Sequence, residues 1–235
     1  MLEGYAGFVL PLLRPGMRVL DVGCGRGAIT LSLGTATHPI HVLGMDADPA
    51  SVAFARKAAD RAHVSTVDFV VAEPYRIPLP PSTVDVVYSH ALLEQLADPL
   101  LALAEFARVL RSGGLLALST SDWSRAKLRP RTANVDAALR GLYLLQRRAG
   151  GDPFAGRHVA GWAERAGFRD VRTRARHHPG VGYGELAEQV ETNLAAAIGV
   201  QHDLQLASAA RSAWMWVRDG KGEFSQCWTE LLATR

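Results

Sequence analysis

Three glycines at alternate positions, Gly23, Gly25 and Gly27, give the sequence its clearest chemical signal. They close the stretch Val19 to Gly27, which reads Val-Leu-Asp-Val-Gly-Cys-Gly-Arg-Gly. Glycine enters positive-φ conformations at little cost and leaves no side chain between the main chain and a bound molecule. A helix predicted from about Gly27 to Thr37 would direct its unpaired N–H groups and positive dipole end at the same point. The pattern therefore predicts a backbone cradle for a phosphate or a carboxylate.

Asp21, at the end of the preceding apolar strand, helps to choose between two cofactor classes. Gly23, Gly25 and Ala28 also satisfy the loose dinucleotide-binding pattern. A dinucleotide would bring its pyrophosphate next to Asp21, and like charges about 4 Å apart repel by roughly 4 kcal/mol at an effective dielectric constant near 20. S-adenosylmethionine instead offers an ammonium group to Asp21 and a carboxylate to the loop amides. The sequence therefore favours S-adenosylmethionine, and an acid that only caps the turn is the alternative.

A second acid is expected at the ribose of this cofactor. The strand predicted at Ile40 to Met45 ends in Asp46, nineteen positions after Gly27. An acid about 20 residues beyond such a turn reaches the ribose hydroxyls in folds of this kind. We expect Asp46 to accept from both hydroxyls and the adjacent Ala47 to lie against the cofactor.

A third apolar run, Val67 to Val71, leads into Ala72-Glu73-Pro74. The carboxylate of Glu73, or the backbone of Glu73 and Pro74, is placed to accept from the adenine amine. The competing interpretation of Glu73 is a solvated loop acid.

The strand predicted at residues 84–89 brings two polar side chains to the same ligand-binding edge. We expect Ser89 to contact the cofactor. An acceptor hydroxyl that must lose a proton needs a base, and His90 is the first candidate because histidine titrates near neutrality. A packing histidine is the alternative, with Tyr88 and Glu94 as secondary candidates.

Residues beyond the fifth strand are candidates for an acceptor pocket. Asp122 and Trp123 follow that strand directly, with a capping acid and a core aromatic as the alternatives. Of His177 and His178 at most one can enter the pocket, because adjacent strand residues face opposite ways. An aromatic group forms either an acceptor wall or a separate hydrophobic cluster: Trp214, Trp216, Phe224 and Trp228.

Taken in order, the motifs resemble the class I S-adenosylmethionine-dependent methyltransferases, and among them the small-molecule branch of the ubiquinone and menaquinone biosynthesis methylases. The likeness covers Arg14 to about Thr120 and rests on six stretches: Val19-Leu-Asp-Val-Gly-Cys-Gly-Arg-Gly27, Gly44-Met-Asp46, Ile77-Pro-Leu-Pro80, Val84-Asp-Val-Val-Tyr-Ser-His90, Leu92-Leu-Glu-Gln-Leu-Ala-Asp-Pro99 and Arg108-Val-Leu-Arg-Ser-Gly-Gly114. The sequence departs from the family where Ala72-Glu73 replaces the usual Gly-Asp and where Glu94-Gln95 stands in place of a frequent histidine. The resemblance implies methyl transfer from S-adenosylmethionine to an oxygen or nitrogen of a small-molecule acceptor.

Strands and helices alternate along the chain, which predicts an α/β fold with a Rossmann-like, doubly wound and mostly parallel seven-stranded sheet. The predicted strands lie near 17–22, 40–45, 67–71, 84–89, 114–119, 168–176 and 224–233. We expect one domain over residues 1–235, with its core at 14–120 and 155–176 and its closing strand at 224–233. Segments 121–150 and 183–218 interrupt the core and are expected to form helical lids over the substrate.

The composition agrees with a single globular enzyme. The chain has 235 residues, 48% of them hydrophobic, which is enough for one sizeable core. No apolar run reaches the length of a membrane span, and the N-terminus lacks a signal-peptide arrangement, so we expect a cytoplasmic location with no membrane partner. Cys24 and Cys227 are too few for a disulfide framework, and no His and Cys spacing predicts a metal.

Charge is unevenly distributed, and this keeps other functions open. Residues 121–180 hold 13 Lys and Arg against 5 Asp and Glu. Arg172, Arg174 and Arg176 alternate along one strand face, either as a solvated edge or as a surface for an acidic or nucleic-acid partner. Against a nucleic-acid methyltransferase, Ser89-His90-Ala91-Leu92 replaces the Asn or Asp, Pro, Pro, aromatic loop that resembling base-amine methylases carry. A third possibility is a protein that binds the nucleoside cofactor but works as a cyclase or binding module, and the sequence leaves a homodimer open.

Overall fold

The computed structural model describes residues 3–36, 41–178, 181–201 and 203–235. Within these residues eight strands form one sheet: β1 (Arg18–Val22), β2 (His41–Asp46), β3 (Val67–Val71), β4 (Val84–His90), β5 (Leu110–Ser121), β6 (Lys127–Arg129), β7 (Arg169–His178) and β8 (Glu223–Thr234). The order across the sheet is β3-β2-β1-β4-β5-β8, and β8 also pairs with β6 and β7. Strands β1 to β5 are parallel, whereas β8 is antiparallel to each of its neighbours. The predicted α/β class with a mostly parallel sheet is confirmed.

The helices of the described residues are α1 (Glu3–Ala6), α2 (Ala28–Ala36), α3 (Pro49–Ala62), α4 (Pro99–Val109), α5 (Ala133–Arg148), α6 (Val159–Arg165), α7 (Tyr183–Gln201) and α8 (Leu204–Asp219). Two of them start with an aspartate cap and a proline in the first turn. Asp48 accepts from the N–H groups of Ala50 and Ser51, and Asp98 accepts from that of Leu101. No helix in the described part of the chain is long and apolar enough to cross a membrane.

Two details differ from the sequence-based prediction. The short strand β6 adds an eighth strand to the seven expected, because it pairs with the start of β8. The helical stretch predicted at 183–218 is two helices, since Asp203 caps α8 by accepting from the N–H groups of Gln205 and Leu206. Thr37 and Ile40, predicted to end a helix and to begin a strand, lie outside the described residues.

Apolar side chains cover both faces of the sheet. Leu20, Val87 and Leu116 belong to a cluster that includes side chains of α4 and α6. Val19 and Tyr88 point to the opposite face, where α2, α3 and the N-terminal segment pack. Because parallel strands bury both faces, their shared carboxyl edge is held in place and becomes the rim on which loops present functional groups.

A third apolar cluster joins the two segments predicted to be lids. Helices α5, α7 and α8 contribute side chains such as Leu139, Leu194 and Trp216, and Leu128 of β6 packs with them. Trp216 is only 1% exposed. The two segments therefore fold together around a core of their own, although about 30 residues of chain separate them.

Gly141 of α5 lies at the closest approach of these helices. A Cβ atom built on it would lie 2.4 Å from the Cβ of Ala209 in α8 and 2.9 Å from the Cδ2 of Leu194 in α7. These contacts are shorter than packed carbon atoms allow. The helix crossing therefore requires a residue without a side chain at this position.

Replacing Gly141 with alanine should destabilise the protein by about 1–3 kcal/mol, because α8 must move to admit the methyl group. Gly161→Ala in α6 is the matched control, since its added methyl group would meet no atom within 4 Å. The control should gain about 0.5–1 kcal/mol from the better helix propensity of alanine. Urea unfolding followed by circular dichroism measures both, and equal stabilisation of the two variants would contradict the close helix crossing.

Candidate active site

The glycine turn between β1 and α2 has the backbone geometry of a ligand cradle. Gly23, Gly25 and Gly27 have φ angles of +77°, +52° and +81°. A Cβ on Gly23 would press against Leu92, and one on Gly27 would lie 2.8 Å from the Cβ of Ala55, so these two glycines are required for packing. A Cβ on Gly25 would meet no atom within 4 Å. Gly25 is therefore the position at which a ligand can approach bare main chain.

Asp46 connects the end of β2 to this turn. Its Oδ2 accepts from the N–H of Gly25 at 2.8 Å, and its Oδ1 accepts from the N–H of Asp48 at 2.9 Å. Each carboxylate oxygen has a second lone pair, so the group can still accept from a ligand. The carboxylate predicted to hold a ribose thus lies beside the open face of Gly25.

Asp21 is buried behind the turn, with 2% of its surface exposed. Thr30 Oγ1 donates to its Oδ2 at 2.6 Å. Burial raises the pKa of Asp21 to about 7, and the nearby Asp46 carboxylate also raises it, while the Thr30 hydrogen bond acts in the opposite direction. The acid borders a cavity of about 220 Å³ that Cys24 and His90 also line. A positively charged group in this cavity would favour the ionised form of Asp21.

The other residues expected near adenosine surround the ends of β2 and β3. Ala47 and Glu73 are exposed and Pro74 is buried. The N–H of Ala72 donates to the carbonyl of Asp46 at 3.0 Å, which fixes the two strand ends relative to each other. The exposed position of Glu73 agrees with either interpretation, an adenine contact or a solvated loop acid.

Ser89 differs in its setting from the other predicted cofactor residues. It is 2% exposed, and its hydroxyl donates to the carbonyl of Val22 at 2.7 Å. This bond ties β4 to the last residue of β1, directly before the glycine turn. Ser89 therefore positions the turn through this bond, with its hydroxyl hydrogen committed inside the protein.

His90 lies in a group of aromatic rings at the carboxyl end of β4. Its ring centroid is 4.6 Å from that of Tyr5 and 4.4 Å from that of Trp228. Its Nδ1 atom is buried and has no hydrogen-bond partner among the described residues. The pKa of His90 is lowered to about 4, mainly by burial and to a smaller extent by the nearby His178. The ring is therefore neutral at pH 7, where it can accept a proton but is a weak base.

Tyr5 is a site residue that the sequence did not indicate. It is carried by α1, lines the same cavity as Asp21 and also contacts the ring of His178, with 5.0 Å between centroids. Its carbonyl accepts from the Tyr88 hydroxyl at 3.1 Å. Burial raises the pKa of Tyr88 above its usual range, so this secondary base candidate stays protonated. No motif surrounds Tyr5, and only the fold brings it to the cavity.

Two buried acids lie where β4 and β5 end. Glu94 Oε1 accepts from the N–H of Ser121 at 3.2 Å, and burial raises the pKa of the Glu94 carboxyl. Asp122 Oδ1 accepts from the N–H and the hydroxyl of Ser124, which confirms the capping role that was one of its two interpretations. The second oxygen of each acid, Glu94 Oε2 and Asp122 Oδ2, is buried without a partner among the described residues.

Strand β7 separates its two histidines as the sequence predicted. His178 points towards Tyr5, whereas the Nε2 of His177 lies 3.0 Å from the carbonyl of Arg125. One histidine therefore belongs to the ring cluster at the cavity, and the other is a contact to the segment that follows β5.

The four aromatic residues considered as an acceptor wall do not form one surface. Trp228 alone of the four joins the rings at the cavity. Phe224 stacks on Trp123 with an interplanar angle of 16°, Trp216 is buried in the helical core and Trp214 is 51% exposed. The interpretation as a separate hydrophobic cluster holds for Trp216.

The comparisons with known proteins agree with this geometry. Residues 20–118 match the family model described as a methyltransferase domain. Residues 20–118 thus have the sequence of a methyltransferase domain. The matched region begins within β1 and ends in β5. It therefore contains the glycine turn, both aspartates and His90.

Three similar proteins place the methyltransferase domain in context. The chain is 30% identical over 167 residues to an uncharacterized methyltransferase of Schizosaccharomyces pombe. The aligned residues cover 68% of this chain and 60% of that protein. It is 37% identical over 114 residues to the 27-O-demethylrifamycin SV methyltransferase of Amycolatopsis mediterranei, or 47% of this chain and 40% of that enzyme. The crystal structure of the cyclase SpnF superposes with a TM-score of 0.62 at 21% identity, covering 100% of this chain and 79% of SpnF. The chain thus spans 60% or less of these two curated relatives, and the likeness to SpnF concerns the fold alone.

Asp21 should make the stability of the protein fall as the pH rises from about 4 to about 7. In this window the folded state keeps the Asp21 proton, because burial raises its pKa to about 7, whereas the unfolded chain has lost it above a pKa of 3.8. A folded state that binds the extra proton loses up to about 1.4 kcal/mol per pH unit. The difference in unfolding free energy between the parent and Asp21→Asn should follow this slope and level off above pH 7.

Urea unfolding at four or five pH values between 4 and 8 measures that difference. Asp60→Asn is the control, since Asp60 is exposed on α3 and its replacement should leave the pH profile unchanged. Parallel profiles for the parent and Asp21→Asn would show that Asp21 is ionised throughout this range.

Proposed function

We propose that the chain is an S-adenosylmethionine-dependent methyltransferase that acts on an oxygen or nitrogen of a small-molecule metabolite. The observation that carries the proposal is the pair of aspartates around Gly25. Asp46 lies beside the open backbone of Gly25, and Asp21 lies behind it at the cavity. A carboxylate next to the turn fits ribose hydroxyls, and a buried acid at the cavity fits an ammonium group. A dinucleotide would place its pyrophosphate against these acids.

Under this proposal, different residues would hold the ribose, the adenine and the methionine carboxylate of the cofactor. Asp46 and the adjoining Ala47 would hold the ribose, with Glu73 and Pro74 near the adenine. The N–H groups of Gly23, Cys24, Gly25 and Gly27 already donate inside the protein. The methionine carboxylate would therefore be held by the N–H groups at the start of α2, because backbone donors at the start of a helix favour an anion. Bound in this way, S-adenosylmethionine would supply an electrophilic methyl group.

The protein's own contribution to such a reaction is placement and exclusion of water. Methyl transfer from a sulfonium needs the acceptor in line with the breaking bond more than it needs acid or base chemistry. The rings of Tyr5 and His90 line the cavity, and Trp228 packs against both. Under this proposal these rings would limit the access of water to the reacting atoms. The unit of α5, α7 and α8 lies after β5 in the chain, and we infer that it covers the acceptor.

The relative from Amycolatopsis mediterranei supports a small-molecule acceptor, since its name describes O-methylation of a small molecule. The fold by itself does not separate transfer from other reactions, since the cyclase SpnF shares it. An assay that detects S-adenosylhomocysteine over pools of small metabolites tests the proposal. Cofactor binding without any product over all pools would favour a cyclase or a binding module.

Gly25→Val should abolish the binding of S-adenosylmethionine while the protein remains folded, because the side chain would occupy the open space beside the turn. Gly16→Val is the matched control. Gly16 also has a positive φ, +83°, and a Cβ there would likewise meet no atom within 4 Å, but it lies before β1 and outside the cavity. Both variants carry similar backbone strain. Titration calorimetry should show cofactor binding by the Gly16→Val variant and none by the Gly25→Val variant. Equal affinity in the two variants would contradict a backbone cradle at Gly25.

His90→Ala should lower turnover of an identified hydroxyl acceptor by roughly 10²- to 10⁴-fold if the histidine is the general base. Cofactor affinity should change little. Because the pKa of His90 is about 4, the parent's rate should be flat between pH 6 and 8 and should fall only towards pH 4. His90→Phe keeps the ring packing but has no nitrogen, so it should be as slow as His90→Ala. A His90→Phe variant with the parent's rate would assign the ring to packing and remove it as the base.

A further inference from the structure

A second and larger cleft lies on the edge of the sheet next to the cavity of His90. It has a volume of about 660 Å³ and runs between the N-terminal segment and β7. Phe8 and Pro11 form one wall. The opposite wall carries Arg172, Arg174 and Arg176. The motifs of the methyltransferase domain do not include these residues, which lie beyond residue 118.

The three arginines share one face because they occupy alternate positions of a strand. In the register of β7 against β8, Arg172 lies opposite Leu232, Arg174 opposite Glu230 and Arg176 opposite Trp228. Residues two apart in a strand are about 7 Å from each other. The guanidinium groups thus form a row directed into the cleft.

This row has little compensating charge. Glu230 is the acid that lines the cleft, and its Oε2 lies 3.7 Å from the Nε of Arg176, beyond a good hydrogen bond. Neither Arg172 nor Arg174 has an ion pair with an acid of the described residues. Guanidinium groups offer paired donors in the spacing that carboxylates and phosphates accept. A concave row of three guanidinium groups, two of them without an ion pair among the described residues, is therefore complementary to an anion.

The rings of His178 and Tyr5 lie between the cleft and the cavity. His178 lines the cleft and contacts Tyr5, and Tyr5 in turn contacts His90 and lines the smaller cavity. A solvated sheet edge, the simpler interpretation of the arginines, needs neither an apolar wall nor a position beside the cavity. The position next to His90 favours an occupant that reaches the reacting atoms.

We propose that Arg172, Arg174 and Arg176 bind the negatively charged group, a phosphate or a carboxylate, of the small molecule that the enzyme methylates. This inference rests on the proposed function, because it names the chemistry of that acceptor. The N-terminal wall of Phe8 and Pro11 contacts the apolar part of the same molecule. A cleft closed on one side by this wall fits a small molecule better than an extended nucleic-acid strand.

Amide chemical shifts in a titration at low ionic strength test the anion site, with inorganic phosphate as one probe and succinate as the other. Arg174→Gln combined with Arg176→Gln should raise the dissociation constant of the tighter probe at least tenfold. Arg61→Gln combined with Arg165→Gln is the control with the same loss of charge, since both of these arginines are exposed and lie outside the cleft. The control should change the constant less than twofold, and the shifts in the parent should concentrate in β7 and residues 5–11.

Different results of these titrations would overturn different parts of the proposal. Equal weakening in both double variants would show general charge attraction and overturn the site. A single-stranded RNA oligonucleotide that binds more tightly than either probe, and loses this affinity in the cleft variant, would overturn it in favour of a nucleic-acid surface. The tighter of the two small probes decides between phosphate and carboxylate. Binding of S-adenosylmethionine, measured separately, should be the same in all these proteins, and its absence from the parent would contradict the proposed function instead of the anion site.

Discussion

The hydrogen bond from the Gly25 N–H to the Asp46 carboxylate determines the shape of the site. It joins the turn after β1 to the end of β2, and the N–H groups of Gly23 and Cys24 add two bonds to the carbonyl of Met45. The parallel pairing of β1 with β2 brings these groups to the same height of the sheet. Because the turn is fixed from the side of β2, its open face is already formed before any ligand binds. A preformed face reduces the ordering cost of binding.

The burial of Asp21 shows what this arrangement costs. A carboxyl group with almost no exposed surface and one strong hydrogen bond from Thr30 is hard to ionise, and the Asp46 carboxylate nearby adds to the difficulty. The polypeptide tolerates the group because the two apolar cores on either face of the sheet supply the stability. Perturbed acids of this kind cluster at functional sites because a ligand can compensate for them. Asp21 is therefore a destabilising residue of the free protein whose partner is expected from outside the chain.

Much of the site could be predicted from the sequence because local rules govern it. Positive φ angles at alternate positions require glycines, and Gly23, Gly25 and Gly27 follow that rule. The strand period put the arginines of β7 on one face and separated His177 from His178. The position of Asp46 followed from the length of one strand–helix–strand unit.

Other features depend on contacts between distant parts of the chain and had no local signal. The environment of His90 is built by Tyr5 and Trp228, which are more than 200 positions apart in the sequence. The sequence alone therefore gave no indication that the pKa of His90 is low. The joint core of α5, α7 and α8 likewise forms only when two segments that are distant in the sequence pack together, and no pattern within either segment indicates this packing. The break before Leu204 did have a local signal, since Asp203 is a good helix cap, and attention to capping would have divided the predicted helix.

Strand β8 has a consequence for how the chain folds. It follows the other described strands along the chain, and it supplies the partner of β5, of β6 and of β7. Until residues 223–234 have joined the sheet, β5 presents an unpaired edge with Leu116 and Leu118, and β7 has no partner among the described strands. Pairings between distant segments form slowly, and an unpaired apolar edge can add a strand from another molecule. The nascent chain is therefore most exposed to aggregation in the interval after β5 has formed and before β8 has been synthesised.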